Sequence, residues 1–251
     1  MERLSGKVAV ITGGSGVIGK VTAERFLKEG AKVVLVDLSE ESLHKAKEEL
    51  DSFGELLTIQ ADVSKESDVE SYVNKVVERF GKIDVFFNNA GIEGEVAPIP
   101  EQNMENFDKV MSVNVRGTFL GLKYVLPVMT EQGYGSVINT SSVSGLSASP
   151  GVSPYVVSKH AVVGLTKGAA IEVANANVRV NSIHPSPVDS RMMRSLEEGM
   201  NTDQEALEQT IPLGRYGDSG DISNLVLFLA SDESEFITGV QYRVDGGMGA
   251  L

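Results

Sequence analysis

Thr12-Gly-Gly-Ser-Gly-Val-Ile-Gly19 is the stretch on which the reading of this 251-residue chain turns. Before it runs Lys7-Val-Ala-Val-Ile, short and rich in β-branched residues. After it, Val17, Val21, Phe26 and Leu27 are spaced as on a helix that stops at Gly30. A strand, a turn carrying Gly14-x-Gly16-x-x-Gly19 and a helix form the dinucleotide-binding fingerprint in the context it requires. Glycine tolerates positive φ and lets backbone N–H groups approach a pyrophosphate at the positive end of a helix. Gly13, Ser15, Gly16, Val17, Ile18 and Gly19 are therefore candidate cofactor contacts.

The second apolar run, Lys32-Val-Val-Leu-Val36, ends at Asp37, which lies 37 − 14 = 23 residues beyond the first fingerprint glycine. A carboxylate there accepts both hydroxyls of an adenosine ribose and repels a 2′-phosphate. Alone, Asp37 also fits an ordinary turn aspartate. Together with the fingerprint, Asp37 and the following Leu38 favour NAD(H) over NADP(H).

The alternation continues along the chain. Ser39 caps a helix to about residue 50, and Leu56-Leu-Thr-Ile-Gln60 precedes a helix over 67–80. Ile83-Asp-Val-Phe-Phe87 leads into Asn88-Asn-Ala-Gly91. A long helix over 104–131 precedes Ser136-Val-Ile-Asn139, and a helix over 154–175 precedes Val178-Arg-Val-Asn-Ser-Ile183. A helix over 222–230 and a strand at 242–244 close the pattern. Continuously apolar strands belong to a parallel sheet covered on both faces. The expected fold is thus a single-domain α/β, doubly wound parallel sheet (Rossmann fold) with helices on both faces. Residues 191–216 read either as a solvated helix pair or as a substrate lid, because they follow a strand's C-terminal end.

Composition removes other classes. Without cysteine there is no disulfide scaffold, Cys-ligated zinc or thiol chemistry. His44, His160 and His184 stand apart from any metal-ligand spacing, so no metal is expected. No apolar run reaches membrane-spanning length and the start lacks a signal peptide's apolar stretch, which points to the cytoplasm. Lys+Arg 22 against Asp+Glu 35 gives a net charge of −13, which disfavours nucleic acid and anionic membranes as partners.

Tyr155 and Lys159 stand four residues apart at the start of a helix and share a face. Such a pair alone is usually a solvated contact. Ser141-Ser142 follows a strand thirteen residues before Tyr155, and Asn114 lies in the preceding long helix. With Asp62-Val63, Asn88-Asn89-Ala90-Gly91 and Asn181…Pro185-Ser-Pro-Val188-x-Ser190, the whole chain resembles the short-chain dehydrogenase/reductase family.

That resemblance implies an NAD(H)-dependent oxidoreductase that interconverts a secondary alcohol and a ketone. Tyr155 would be the general acid/base, and Lys159 would lower its pKa and hold the nicotinamide ribose. Ser142 would hydrogen-bond the substrate oxygen. Asn114 would kink its helix and hold a water linking Lys159 to solvent. Asp62 would meet the adenine amino group, or serve as a turn cap, and Val63 would offer its N–H. Asn89, Ala90 and Gly91 would pass behind the cofactor, with Asn89 mainly stabilising the central strand. Pro185, Val188 and Ser190 would meet the nicotinamide end. The family also implies a homotetramer built on the Asn114 and Tyr155 helices and the C-terminal strands, although dimers occur.

The chain departs from the family at two places. Val17 stands where the turn usually has glycine, and valine resists positive φ, which implies a reshaped loop or weaker cofactor binding. Ser186 replaces the usual glycine after Pro185, and Ser190 the usual threonine. His160 and His184 read as surface or packing residues. The pocket (residues 91–96, 143–144, 149–152 and the segment from Met192) is small or apolar, so a neutral or weakly polar ketone or secondary alcohol is expected. Rival readings are a 3-oxoacyl-acyl-carrier-protein reductase, a glucose-type sugar dehydrogenase and a catalytically silent nucleotide-binding scaffold.

Overall fold

Every residue of the first strand, β1 (Val8–Thr12), is buried, because layers of helix cover both faces of the sheet it enters. In the computed structural model, which describes residues 2–250, β1 is followed by α1 (Val17–Lys28), β2 (Lys32–Asp37), α2 (Glu40–Leu50) and β3 (Leu56–Gln60). Next come α3 (Glu66–Phe80), β4 (Val85–Asn88), α4 (Met104–Met111), α5 (Gly117–Gln132) and β5 (Gly135–Thr140). The chain continues through α6 (Ser153–Val173), β6 (Val178–Pro185), α7 (Arg191–Met200), α8 (Gln204–Glu208), α9 (Ser219–Ala230) and β7 (Gln241–Val244). All pairings are parallel, in the order β3-β2-β1-β4-β5-β6-β7.

Successive strand residues serve opposite layers. Ala9, Ile11, Val33 and Leu35 pack with Phe26 of α1, Leu43 of α2 and Val226 of α9. Val8, Val10, Val34 and Val36 pack with Val69 of α3, Val125 of α5 and Ala169 of α6. Each fully buried aliphatic or aromatic side chain of this kind contributes roughly 1.5–3 kcal/mol. Helix starts follow local chemistry. The Ser39 hydroxyl accepts from the Ser42 N–H at 3.2 Å, and Asp218 and Asp221 form a reciprocal capping box on α9.

Two elements add detail to the sequence reading, the first being the kink the family resemblance implies at Asn114. The long helix expected over 104–131 is interrupted by a π turn, Ser112–Arg116, between α4 and α5. Local propensity cannot forecast this turn, because tertiary bonds of Asn114 accompany it. The segment 191–216 forms the helix pair α7 and α8, with its own small core of Met193, Ile211 and Tyr216. At the neck of this segment, Val188 pairs with Gly217, and the Gly217 N–H reaches the Pro187 carbonyl at 2.9 Å. No helix among the described residues is long and apolar enough to cross a membrane.

Candidate active site

The strand order reverses between β1 and β4, so their carboxyl ends diverge and open a crevice, where ligands bind in such sheets. The first turn crosses that edge. Gly13 takes φ +61°, and a Cβ on Gly19 would stand 2.3 Å from the Gly13 carbonyl oxygen. Gly16 is the N-cap of α1 in extended conformation and supplies no side-chain cap. Val17 is the first helical residue, so the position requires no positive φ and the strain expected from valine does not arise.

The N–H groups of Val17, Ile18 and Gly19 have no hydrogen-bond partner among the described residues, and the first turn of α1 carries no acidic side chain. Unpaired donors at the positive end of a helix fit a pyrophosphate. Asp37 sits beside this turn: its Oδ2 accepts from the Ser15 hydroxyl at 2.6 Å and N–H at 3.1 Å, and its Oδ1 from the Leu38 N–H at 2.8 Å. Leu38 is exposed.

Asp62 is engaged in its own turn, accepting from the Ser64 N–H at 3.0 Å and hydroxyl at 2.6 Å. Burial raises its pKa, but the Ser64 donors and Lys65 outweigh this and lower it on balance. Val63 packs against Gly117, where a Cβ would lie 3.0 Å from its methyl. At the other end, Pro185 closes β6, Val188 is buried at the neck, and the Ser190 hydroxyl caps α7 through the Met193 N–H at 3.3 Å.

One chain of hydrogen bonds runs along the strand ends. The Thr12 hydroxyl accepts from Asn89 N–H at 2.9 Å and Ala90 N–H at 3.1 Å. Asn89 returns a bond to the Thr12 carbonyl at 3.1 Å, and the Thr140 hydroxyl donates to Asn89 Oδ1 at 3.2 Å. The Lys159 ammonium donates to the Thr140 carbonyl at 2.9 Å. The sequence reading gives Thr12 no role beyond opening the glycine turn and does not single out Thr140, since threonines at strand ends are commonplace. Gly91 crosses this chain closely: a Cβ there would lie 3.2 Å from Asn114 Oδ1 and 3.3 Å from Lys159 Nζ.

Pro154 in its first turn starts α6, which places Tyr155 and Lys159 on one face, with Nζ 5.4 Å from the Tyr155 ring centroid. Ser142 follows β5, and its hydroxyl acts on the Tyr155 phenol in the direction that lowers its pKa. Its hydroxyl also accepts from the Ser144 N–H at 3.2 Å. Asn114 grips Ile92 by both backbone groups, each at 2.8 Å, and donates to the Ser158 hydroxyl at 3.0 Å. Structure thus brings Asn114, Ser142, Tyr155 and Lys159 to one end of the sheet.

Burial pushes the Tyr155 phenol up to about 12; the Ser142 hydrogen bond opposes this and the charge of Glu93 adds to it. That direction is opposite to the lowering the sequence reading expects from Lys159. The ammonium lies over the ring and is bound to a carbonyl, and burial pulls its own pKa down to about 8. Glu93, buried beside this pair, escapes the sequence reading, whose only hint is a charged residue two places after the Asn-Asn-Ala-Gly run.

His184 is fully buried and shapes the site from below. Its Nδ1 lies 2.8 Å from the Ser142 carbonyl, so Nδ1 carries the proton and Nε2, at 2.9 Å, accepts from the Ser182 hydroxyl. His160 is exposed and bonds only its own helix.

A family model described as Enoyl-(Acyl carrier protein) reductase matches residues 14–249. Levodione reductase of Leifsonia aquatica is 43% identical over 256 residues, covering 99% of this chain and 96% of that one. A 3-oxoacyl-acyl-carrier-protein reductase of Thermotoga maritima is 39% identical, covering 98% and 99%. The solved structure of NAD+-bound xylitol dehydrogenase matches with TM-score 0.94 at 36% identity, over 97% of this chain and 99% of that one.

His184 yields an acid-stability prediction. Burial lowers its pKa from 6.5 to about 4, so between those values the unfolded chain binds a proton that the folded protein refuses. Stability is therefore expected to fall as pH drops from 6.5 toward 4. Replacing His184→Gln should flatten this acid limb, changing its Tm span by about 5 °C. Parallel melts of the two proteins over this range test it, and identical slopes would refute the assignment.

Proposed function

Because the chain belongs to the short-chain dehydrogenase/reductase family and is an oxidoreductase of that kind, we propose that it interconverts secondary alcohols and ketones with NAD(H). The observation that carries this reading is the Ser142–Tyr155–Lys159 group beside an uncapped helix N-terminus with Asp37 next to it. The nicotinamide, when bound, supplies or accepts the hydride.

The protein's own groups handle the proton and the substrate. The Tyr155 hydroxyl gives its proton to a ketone oxygen, or takes one from an alcohol, and the pKa near 12 keeps it charged with a proton for reduction. The Ser142 hydroxyl, held by the Ser144 N–H and by His184 beneath its carbonyl, donates to the same oxygen as charge develops there. Lys159 would hold the nicotinamide ribose, and its ammonium favours the phenolate that oxidation needs. Asn114, gripping Ile92, keeps the Gly91 backbone against Lys159 and holds the relay water. The unpaired N–H groups of Val17 to Gly19 would receive the pyrophosphate, and Asp37 would receive the adenosine ribose. Asp62 and Val63 line the adenine end; Pro185, Val188 and Ser190 line the carboxamide end. The helix pair α7 and α8 closes over the substrate on its paired neck.

NAD(H) is favoured over NADP(H) because a carboxylate at Asp37 faces the position a 2′-phosphate would take. Solved relatives described as NAD+-bound or complexed with NADH support this reading. A homotetramer is supported by apolar side chains left exposed on two neighbouring helices, Phe119 of α5 and Val157 and Ile171 of α6, and by Phe236 near β7. Sedimentation is expected to give about four times the chain mass, and a monomer at micromolar concentration would refute the assembly.

The function is tested by screening secondary alcohols with NAD+ and ketones with NADH. Tyr155→Phe should lower kcat by on the order of 10²–10⁴ while NADH affinity, read by fluorescence, stays nearly unchanged. NAD+ should exceed NADP+ in kcat/KM by on the order of 100-fold, and Asp37→Ala should erase most of that gap. Equal use of both cofactors by the natural protein, or full activity in Tyr155→Phe, would overturn the reading.

A further inference from the structure

Glu93 is a buried carboxylate at the edge of the candidate site, and its one hydrogen-bond donor among the described residues is the Arg191 guanidinium at 3.4 Å. Arg191 is the first residue of α7, and its side chain is 80% exposed against 9% for Glu93. A carboxylate offers about four acceptor directions, so a single long contact leaves most of that capacity open. Its second oxygen is not among the fully buried unpaired atoms, so it reaches accessible space, where a donor from elsewhere can meet it.

The backbone holds Glu93 in place from both sides. Ile92 is clamped by Asn114 at 2.8 Å in both directions. Gly94 takes φ +76°, where a Cβ would lie 2.6 Å from a Val110 methyl, and the Glu95 N–H is held by Asn106 at 3.1 Å. Two residues on, Val96 closes the space between the loop at Gly151 and Gly199 of α7, where added Cβ atoms would come within 3.0 and 2.6 Å of its methyls. The carboxylate therefore stands beneath the start of α7, two residues beyond the Gly91 backbone that lies against Lys159 and Asn114, and its charge acts on the Tyr155 phenol.

Resting on the alcohol–ketone reading above, we propose that Glu93 binds substrate, accepting a hydrogen bond from a second hydroxyl, so that diols and hydroxyketones are preferred over their plain counterparts. The donor is neutral. Lys159 already places an ammonium in the cleft and Arg191 already offsets the carboxylate, so a cationic substrate would add a surplus charge. A hydroxyl supplies the missing donor without changing that balance. A plain ring lacking it would leave the carboxylate facing apolar surface, and sites built around a hydrogen bond discriminate strongly against such analogues.

The test compares kcat/KM for cyclohexanol with that for the cis and trans cyclohexane-1,2-, 1,3- and 1,4-diols, using NAD+. A hydrogen bond to a charged group is expected to favour at least one diol by about tenfold to a hundredfold, beyond the statistical gain of offering two hydroxyls. Glu93→Leu should collapse that ratio toward unity. Because the substitution also alters the field at Tyr155, which both substrates use, the ratio is the quantity read. Glu93→Gln keeps a neutral acceptor of the same shape and should lower the ratio by about tenfold or less; it carries the comparison if Glu93→Leu fails to fold, which melting and NADH titration reveal. Turnover of cyclohexanol and every diol at the same rate, or a ratio that survives both substitutions, overturns the proposal alone. Loss of turnover with all alcohols and ketones in the natural protein overturns the oxidoreductase reading and the proposal with it.

Discussion

The hydrogen-bond chain Thr12–Asn89–Thr140–Lys159 is the constraint on which the rest of the site depends. Parallel strands leave their carboxyl ends as a row of loops with no neighbour to fix them. Here side chains from β1, the β4 loop and β5 tie that row together, and the Lys159 ammonium completes it from α6. A second layer lies directly beneath. Asn88 bridges the Thr118 carbonyl at 3.0 Å and Asn139 at 3.2 Å, and Asn139 reaches the Thr166 hydroxyl at 3.0 Å. These buried amides bolt α5 and α6 to the sheet, so Tyr155 inherits its position from strand geometry rather than from a free loop. Fully satisfied polar networks of this kind add rigidity and specificity to a core.

Desolvation sets the electrostatics of the cleft. It drives the half-buried phenol and the buried ammonium toward neutrality from opposite sides, the phenol up to about 12 and the ammonium down to about 8. The negative charge of Glu93 acts on the phenol in the same direction as burial, whereas the Ser142 hydroxyl opposes both. His184, held neutral by burial, supports the Ser142 backbone without adding charge. The proposed proton transfer thus rests on a small set of named groups, while Asp37 stands with Ser15 beside the first turn of α1.

The fold was legible because runs such as Val8–Thr12 are apolar on both faces and a glycine turn marks the first crossover. The residues of the site were legible as types and spacings, but not all of their physics was. The π turn at Ser112–Arg116 accompanies Asn114's grip on Ile92, twenty-two residues away in sequence; only the family resemblance, and no local pattern, pointed to a kink there. Val17 looked strained only while its backbone conformation was unknown; as the first residue of α1 it is helical. Tyr155's pKa depends on how deeply α6 and the surrounding loops enclose it, which spacing alone does not report. Glu93 was hidden for the same reason, since its burial depends on Asn106, Asn114 and the α7 segment meeting around one loop.

The central claim is that one half-buried phenol, Tyr155, donates the proton in one direction and accepts it in the other. The most direct measurement is the pH dependence of kcat/KM for both directions between about pH 6 and 10, with cofactor saturating. Oxidation should rise with pH, approaching tenfold per unit at its steepest, because the phenol must be unprotonated. Reduction should stay level across this range, because the phenol remains protonated below about 12. Parallel profiles in the two directions, or oxidation that declines as the solution becomes alkaline from neutrality, would contradict the account.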